Sequence, residues 1–118
     1  MTYADNAERA RAIYRAYVDK DRDVVEGLIA REFSFTSPYD DHIDRKTYFE
    51  RCWANAGRIA DMRIRKLHAD GDDVFVLYEV RPREGEASHN AEFLRFRDGQ
   101  LAEVEVFFGE LNGVEQKP

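Results

Sequence analysis

Between positions 59 and 108 the chain alternates: four segments, 59–68, 74–81, 87–96 and 101–108, place large apolar residues at every second position. Asp70-Gly71, the loop at 82–86 and Asp98-Gly99 separate them. A period of two interrupted by Gly and Pro is the pattern of strands joined by tight connections. Strands linked by hairpins pair antiparallel. The pattern therefore predicts a sheet of at least four strands, one face of which must be covered by something else.

The cover lies upstream. Asp5 followed three residues later by Glu8 is a capping box, and Ala10, Ile13, Tyr14, Tyr17 and Val18 then recur at helical spacing. Asp21 caps a short second helix with Val24, Val25, Leu28 and Ile29 inward. From Glu32 the period becomes two: Phe33 and Phe35 alternate with Ser34 and Thr36 until Pro38 removes a donor, which predicts a short strand at a sheet edge. Asp44 caps a third helix with Tyr48, Phe49, Cys52, Trp53 and Ala56 along one face, and Gly57 supplies a left-handed exit. The expected class is α+β, three N-terminal helices packed on a curved, mainly antiparallel sheet. A chain of 118 residues holds one core, so residues 1–118 read as a single domain with its core at about 7–110 and an unstructured tail at 112–118.

Register decides which side chains face the helices, since a slip of one residue exchanges the two faces. A two-residue loop at Asp98-Gly99 mixes three carboxylates into the apolar set of the last hairpin. A three-residue loop, Arg97-Asp98-Gly99, groups Glu92, Leu94 and Phe96 with Ala102, Val104, Val106 and Phe108. The second register is adopted, with Val74, Val76, Tyr78 and Val80 also inward and Leu101 outward. It leaves Glu92 as an acid on an apolar face beside Asn90, where desolvation raises a carboxyl pKa towards the range used in general acid–base work. Pairing with an arginine, or solvent at a cavity mouth, is the plainer account of the same residue.

The expected pocket combines an aromatic wall with a few polar groups, the usual make-up of a small-molecule site. It is formed by Tyr14, Phe35, Ser37, Tyr48, Trp53, Val76, Tyr78, Asn90, Glu92, Val106 and Phe108. Glu92 and Tyr14 are its candidate catalytic groups, and Asp41 at the rim is a weaker second acid. Outside the sheet, Phe75, Leu77, Phe93 and Phe107 are too many large apolar groups for a solvated face, which predicts a homodimer through that face.

The net charge of −6 argues against nucleic acid. No apolar run reaches bilayer length and the first residues carry no export pattern, so no membrane and a cytoplasmic location are expected. Asp40, Asp41, His42 and Asp44 are potential ligands, yet turn and cap roles explain them, and neither a metal nor a cofactor is expected. Cys52, the one cysteine, reads as a buried small hydrophobe. No nucleophile elbow, phosphate-binding glycine loop or H-E-x-x-H segment is present.

The element order, FSFTSP after two helices and GQLAEVEVFFGE near the end together resemble a SnoaL-like member of the nuclear transport factor 2 (NTF2-like) superfamily, over about residues 7–110. The resemblance implies a cone-shaped fold that hosts ketosteroid isomerases, polyketide cyclases, dehydratases, epoxide hydrolases and non-catalytic binding proteins, often as dimers through the sheet. It implies that the isomerase base position, just before the proline, holds Ser37 here, that the helix-one tyrosine falls at or one residue before Tyr14, and that the oxygen-binding acid falls at Glu92. Two expectations stay open. One is a cofactor-free isomerase, cyclase or dehydratase acting on a small, mostly apolar, oxygen-bearing molecule, with Tyr14 and Tyr78 orienting the oxygen. The other is a non-catalytic module for small-molecule binding or dimerisation.

Overall fold

Asp5 opens helix α1 (Asn6–Asp19) by accepting the Glu8 N–H at 2.8 Å. Glu8 reaches back to the N–H of Ala4, at 3.0 Å, so the capping box is displaced by one residue. The helix ends at Lys20, whose φ of 59° is left-handed and whose ammonium donates to the carbonyls of Tyr17, Val18 and Ile59. One side chain thereby caps α1 and ties it to the start of a distant strand. Asp21 caps α2 (Arg22–Leu28) through the Val24 N–H. This computed structural model describes residues 3–109. The tail expected at 112–118 lies outside them.

Strand β1 (Ile29–Ser37) starts directly from α2, three residues earlier than the alternation indicates. Across Pro38 and Tyr39 the chain turns back as β2 (Asp40–Ile43), a strand the sequence pattern does not show because Asp40, Asp41 and His42 carry no apolar alternation. Consequently β1 is not an edge. Asp44 caps α3 (Arg45–Arg51) by accepting the Thr47 N–H at 2.9 Å. The helix stops two residues short of Trp53 and continues as a 3-10 turn (Trp53–Arg58), in which Gly57 does not adopt the left-handed exit expected of it.

The remaining strands are β3 (Ile59–Asp70), β4 (Asp73–Pro82), β5 (Ser88–Arg97) and β6 (Gln100–Phe108). The sheet runs β2-β1-β6-β5-β4-β3, and β1 with β6 is its one parallel pair among the described residues. α1 packs on β3 and β4 and α3 on β1, so the helices share one face of a mainly antiparallel sheet. No helix among the described residues is long and apolar enough to cross a membrane.

The last hairpin resolves the register differently from either simple expectation. Arg97 pairs with Gln100, which leaves the two-residue loop Asp98-Gly99, both with positive φ. A bulge between Arg95 and Phe96 then absorbs one residue, so that Leu94 faces Val104 and Glu92 faces Val106. The inward set survives with one correction: Leu101, expected outside, is buried together with Ala102 because the extra residue of the bulge lies in β6, where Leu101 pairs with Phe96, Glu103 with Arg95, and Ala102 is left between them. Phe75, Leu77 and Phe107 remain exposed on the outer face, where Phe93 stacks on Phe75 at 5.0 Å between ring centroids.

Candidate functional site

A cavity of about 350 Å³ lies between the helices and the inner face of the sheet. α1 contributes Ile13, Tyr14 and Tyr17, β1 contributes Phe35 and Ser37, and α3 contributes Tyr48. Tyr78, Asn90, Glu92, Val106 and Phe108 come from β4, β5 and β6, the long strands whose alternation brings every second residue inward. Tyr48 is held by edge and tilted contacts with Phe33, Phe35 and Phe49, at 5.1, 5.0 and 5.4 Å. Tyr39 stacks on the half-exposed Phe108 at 5.4 Å, and both line the cavity.

Two residues expected in the pocket do not line it. Trp53 follows the end of α3 and packs on Tyr17 and Phe49, at 5.1 and 6.4 Å, behind the wall. Val76, opposite Glu92, is wholly packed into the core. Asp41 also departs from expectation: its side chain is 93% exposed and 2.6 Å from His42 Nδ1, so it is a surface group.

The acid in the cavity mouth is Asp40, one residue earlier. Its side chain is only 9% exposed, its Oδ2 accepts from Ser37 Oγ at 3.1 Å, and its Oδ1 lies 2.8 Å from Arg51 Nη2. The signal for it was present: Phe33, Phe35 and Ser37 alternate inward, and a two-residue hairpin at Pro38-Tyr39 returns Asp40 to the face of Ser37. Tyr17 was likewise readable only as core, and it reaches the cavity too.

Glu92 forms the polar floor with Tyr78, Asn90 and Tyr14. The Tyr78 hydroxyl donates to Glu92 Oε2 and lies 3.5 Å from the Asn90 amide nitrogen. The Tyr14 and Tyr78 rings are 5.0 Å apart. Part of the Glu92 residue surface stays accessible, but the carboxyl end is enclosed, and burial pushes its pKa up to about 7. Hydrogen bonding from Tyr78 and the nearness of the Tyr14 hydroxyl oppose that rise without cancelling it. The same burial, reinforced by the charge on Glu92, raises the phenols of Tyr14, Tyr17 and Tyr78 well above their ordinary value, so all three stay neutral donors. Cys52 is pushed up to about 11, again mainly by burial, and carries no thiolate at neutral pH.

Unpartnered polar atoms gather here. Among the described residues five buried side-chain polar atoms lack a geometrically acceptable hydrogen bond, and four of them, Tyr14 Oη, Tyr17 Oη, Asn90 Oδ1 and Asp40 Oδ1, belong to cavity residues. Tyr14 thus lies close enough to Glu92 to favour its anion without being aligned to donate to it. Each such atom costs roughly 1–3 kcal/mol when left without a partner.

Solved structures share this architecture. A candidate ketosteroid isomerase from Kribbella flavida matches with a TM-score of 0.74 and 18% identity, over 93% of this chain and 80% of that one. IdmH, a candidate polyketide cyclase from Streptomyces antibioticus, matches with a TM-score of 0.73 and 19% identity, over 86% and 90%. An LEH-like epoxide hydrolase from M. tuberculosis matches with a TM-score of 0.71 and 17% identity, over 86% and 80%. At such identities the likeness establishes the NTF2-like fold alone. No curated protein matches by sequence. The model of the SnoaL-like domain matches residues 10–104, most of the sequence, and the protein belongs to that family.

Proposed function

We propose that this protein is a cofactor-free acid–base catalyst acting on a small, mostly apolar molecule that carries a carbonyl or hydroxyl oxygen. The observation that carries the reading is Glu92, a carboxyl with a pKa of about 7 in an apolar cavity beside buried phenols. Tyr78 is committed to Glu92, which leaves the Tyr14 and Tyr17 hydroxyls to donate to a substrate oxygen. With a ketone seated there, ionised Glu92 takes a proton from the carbon next to the carbonyl. The C–H bond breaks, its electron pair moves into the carbon–carbon bond, and the carbonyl π pair becomes the enolate oxygen's charge under the two phenols. In a β,γ-unsaturated ketone, return of the proton from Glu92 to the far carbon of the dienolate completes an isomerisation; in a dicarbonyl, attack of the enolate carbon on the second carbonyl, whose oxygen then takes the proton from Glu92, completes a cyclisation.

Proton NMR of 2-tetralone in D₂O tests the step by following loss of the hydrogens next to the carbonyl. The wild-type protein should accelerate exchange, with a rate rising through about pH 7, whereas Glu92→Gln should leave the background rate. Equal acceleration by both proteins would refute the role of Glu92. One observation favours a non-catalytic binding module: Ser37 stands where related isomerases hold their base, and its hydroxyl is engaged by Asp40. Binding of 2-naphthol without tetralone exchange would decide for that reading.

A second copy of the chain is the occupant proposed for the outer sheet face, where Phe75 and Phe107 are 52% and 55% exposed. The apolar band is flanked by Lys66 on β3 and by Glu105 on β6, which carries the opposite charge. A two-fold axis along the strands, between β4 and β5, would lay β3 of each copy over β6 of the other and join these charges. Sedimentation should give a dimer for the wild type and a monomer for Phe107→Glu. A monomeric wild type at micromolar concentration would dismiss the interface.

A further inference from the structure

The cavity has a second polar end. Glu92 faces Val106 across β5 and β6, Val106 follows Glu105, which faces Thr36, and Ser37 faces Asp40. Glu92 and Asp40 therefore terminate one row that crosses four strands on the inner face. Three strand spacings put them about 14 Å apart on a flat sheet, and less on a curved one. Between them the cavity is lined mainly by aromatic and aliphatic side chains.

Asp40 is not an ordinary surface acid. Its side chain is nine-tenths buried, and Ser37 occupies one lone pair of Oδ2. Arg51 offsets its charge from 2.8 Å but is not aligned to donate, so the buried Oδ1 has no hydrogen-bond partner. Of the roughly four acceptor sites of a carboxylate, Ser37 fills one and the Arg51 guanidinium lies against another without a hydrogen bond. The Tyr14 and Tyr17 hydroxyls at the floor have donors to spare, whereas the mouth has an acceptor to spare.

We infer that the natural guest is bipolar: an oxygen acceptor seated at the phenol floor and, at the opposite end of an apolar body, a hydrogen-bond donor such as an N–H or second hydroxyl that is read by Asp40. Asp40 is then a specificity residue for the far end of the guest, engaged with Ser37 and Arg51 and taking no part in the proton transfer. The inference rests on the acid–base reading of the same cavity, because that reading fixes which end the oxygen occupies. It narrows the substrate class from an apolar ketone or alcohol to a two-ended molecule with its second polar group several bonds away.

The probes are 2-naphthol, which offers one polar end, and 6-amino-2-naphthol, which adds a donor at the far end of the same ring system. Fluorescence titration of the wild type should show the amino compound binding about ten-fold tighter, the effect of one hydrogen bond to a charged acceptor. Asp40→Ala should abolish that preference, the two compounds then binding alike, and measurable binding of 2-naphthol by the variant shows that its cavity is intact. Arg51→Gln, which keeps Asp40 but removes its counter-charge, should widen the preference. Equal wild-type affinities, or a preference that survives Asp40→Ala, would overturn the bipolar inference and leave the floor reading standing. Failure of both compounds to bind the wild type would overturn the two together.

Discussion

Replacing Glu92 by Gln should make the protein more stable at neutral and alkaline pH and leave it nearly unchanged in mild acid. Gln keeps the shape and can still accept from Tyr78, so the change removes mainly the ionisation. The folded carboxyl titrates at about 7 against an ordinary value of 4.5, so the folded state holds a proton that the unfolded chain has already released. Below about pH 4.5 both states are protonated and Glu92 costs nothing. As pH rises from there through 7 its penalty grows to a plateau, reaching about 3 kcal/mol for a shift of this size at about 1.4 kcal/mol per unit. In a domain of this size that is roughly 10 °C in melting temperature. The assay is paired urea unfolding of wild type and Glu92→Gln at half-unit steps from pH 4.5 to 8.5, with the difference in unfolding free energy plotted against pH. Taking the difference cancels every group titrating alike in both proteins. A difference that is flat across the range would mean that Glu92 is solvated, and the argument from burial would fall.

Tyr78→Phe removes the hydroxyl that stabilises the Glu92 anion, so the Glu92 carboxyl signal in a carbon-13 NMR titration should move to a midpoint above 7, and a downward shift would contradict the geometry. Asp5→Ala deletes the α1 cap and should cost about 1 kcal/mol in chemical unfolding, with the cavity residues undisturbed. Gly109→Ala would place a Cβ 2.4 Å from the His89 carbonyl oxygen, so the Gly109 N–H to His89 bond should weaken and its amide exchange faster; unchanged protection would show that the strands can part there at little cost.

Legibility followed the apolar pattern. The four long strands, the three capped helices and the inward placement of Glu92, Val104 and Val106 could be read because burial imposes a period and capping demands particular side chains. β2 was not legible, since a four-residue strand of Asp, Asp, His and Ile has no apolar face to repeat. Missing β2 displaced the second acid by one position, from Asp40 to Asp41, and in a strand one position is the difference between cavity and solvent. The bulge beside Phe96 was hidden for a related reason: a two-residue loop plus a bulge and a three-residue loop give the same inward set from Val104 onward, and Leu101 alone distinguishes them. Trp53 was placed in the pocket because helical periodicity was carried past Arg51, where the chain tightens into a 3-10 turn.

The parallel pairing of β1 with β6 bears on the order in which the molecule assembles. β3 to β6 form a meander whose neighbours meet through short loops, and such contacts close early because little chain entropy is lost. Ile29 and Leu101 lie some seventy residues apart, so pairing their strands closes a far longer loop than any hairpin of the meander. Ser37 and Asp40 sit on the side of that long-range pairing, whereas Tyr78, Asn90 and Glu92 belong to the meander. The mouth of the cavity thus depends on the costlier closure and its floor on the cheaper ones.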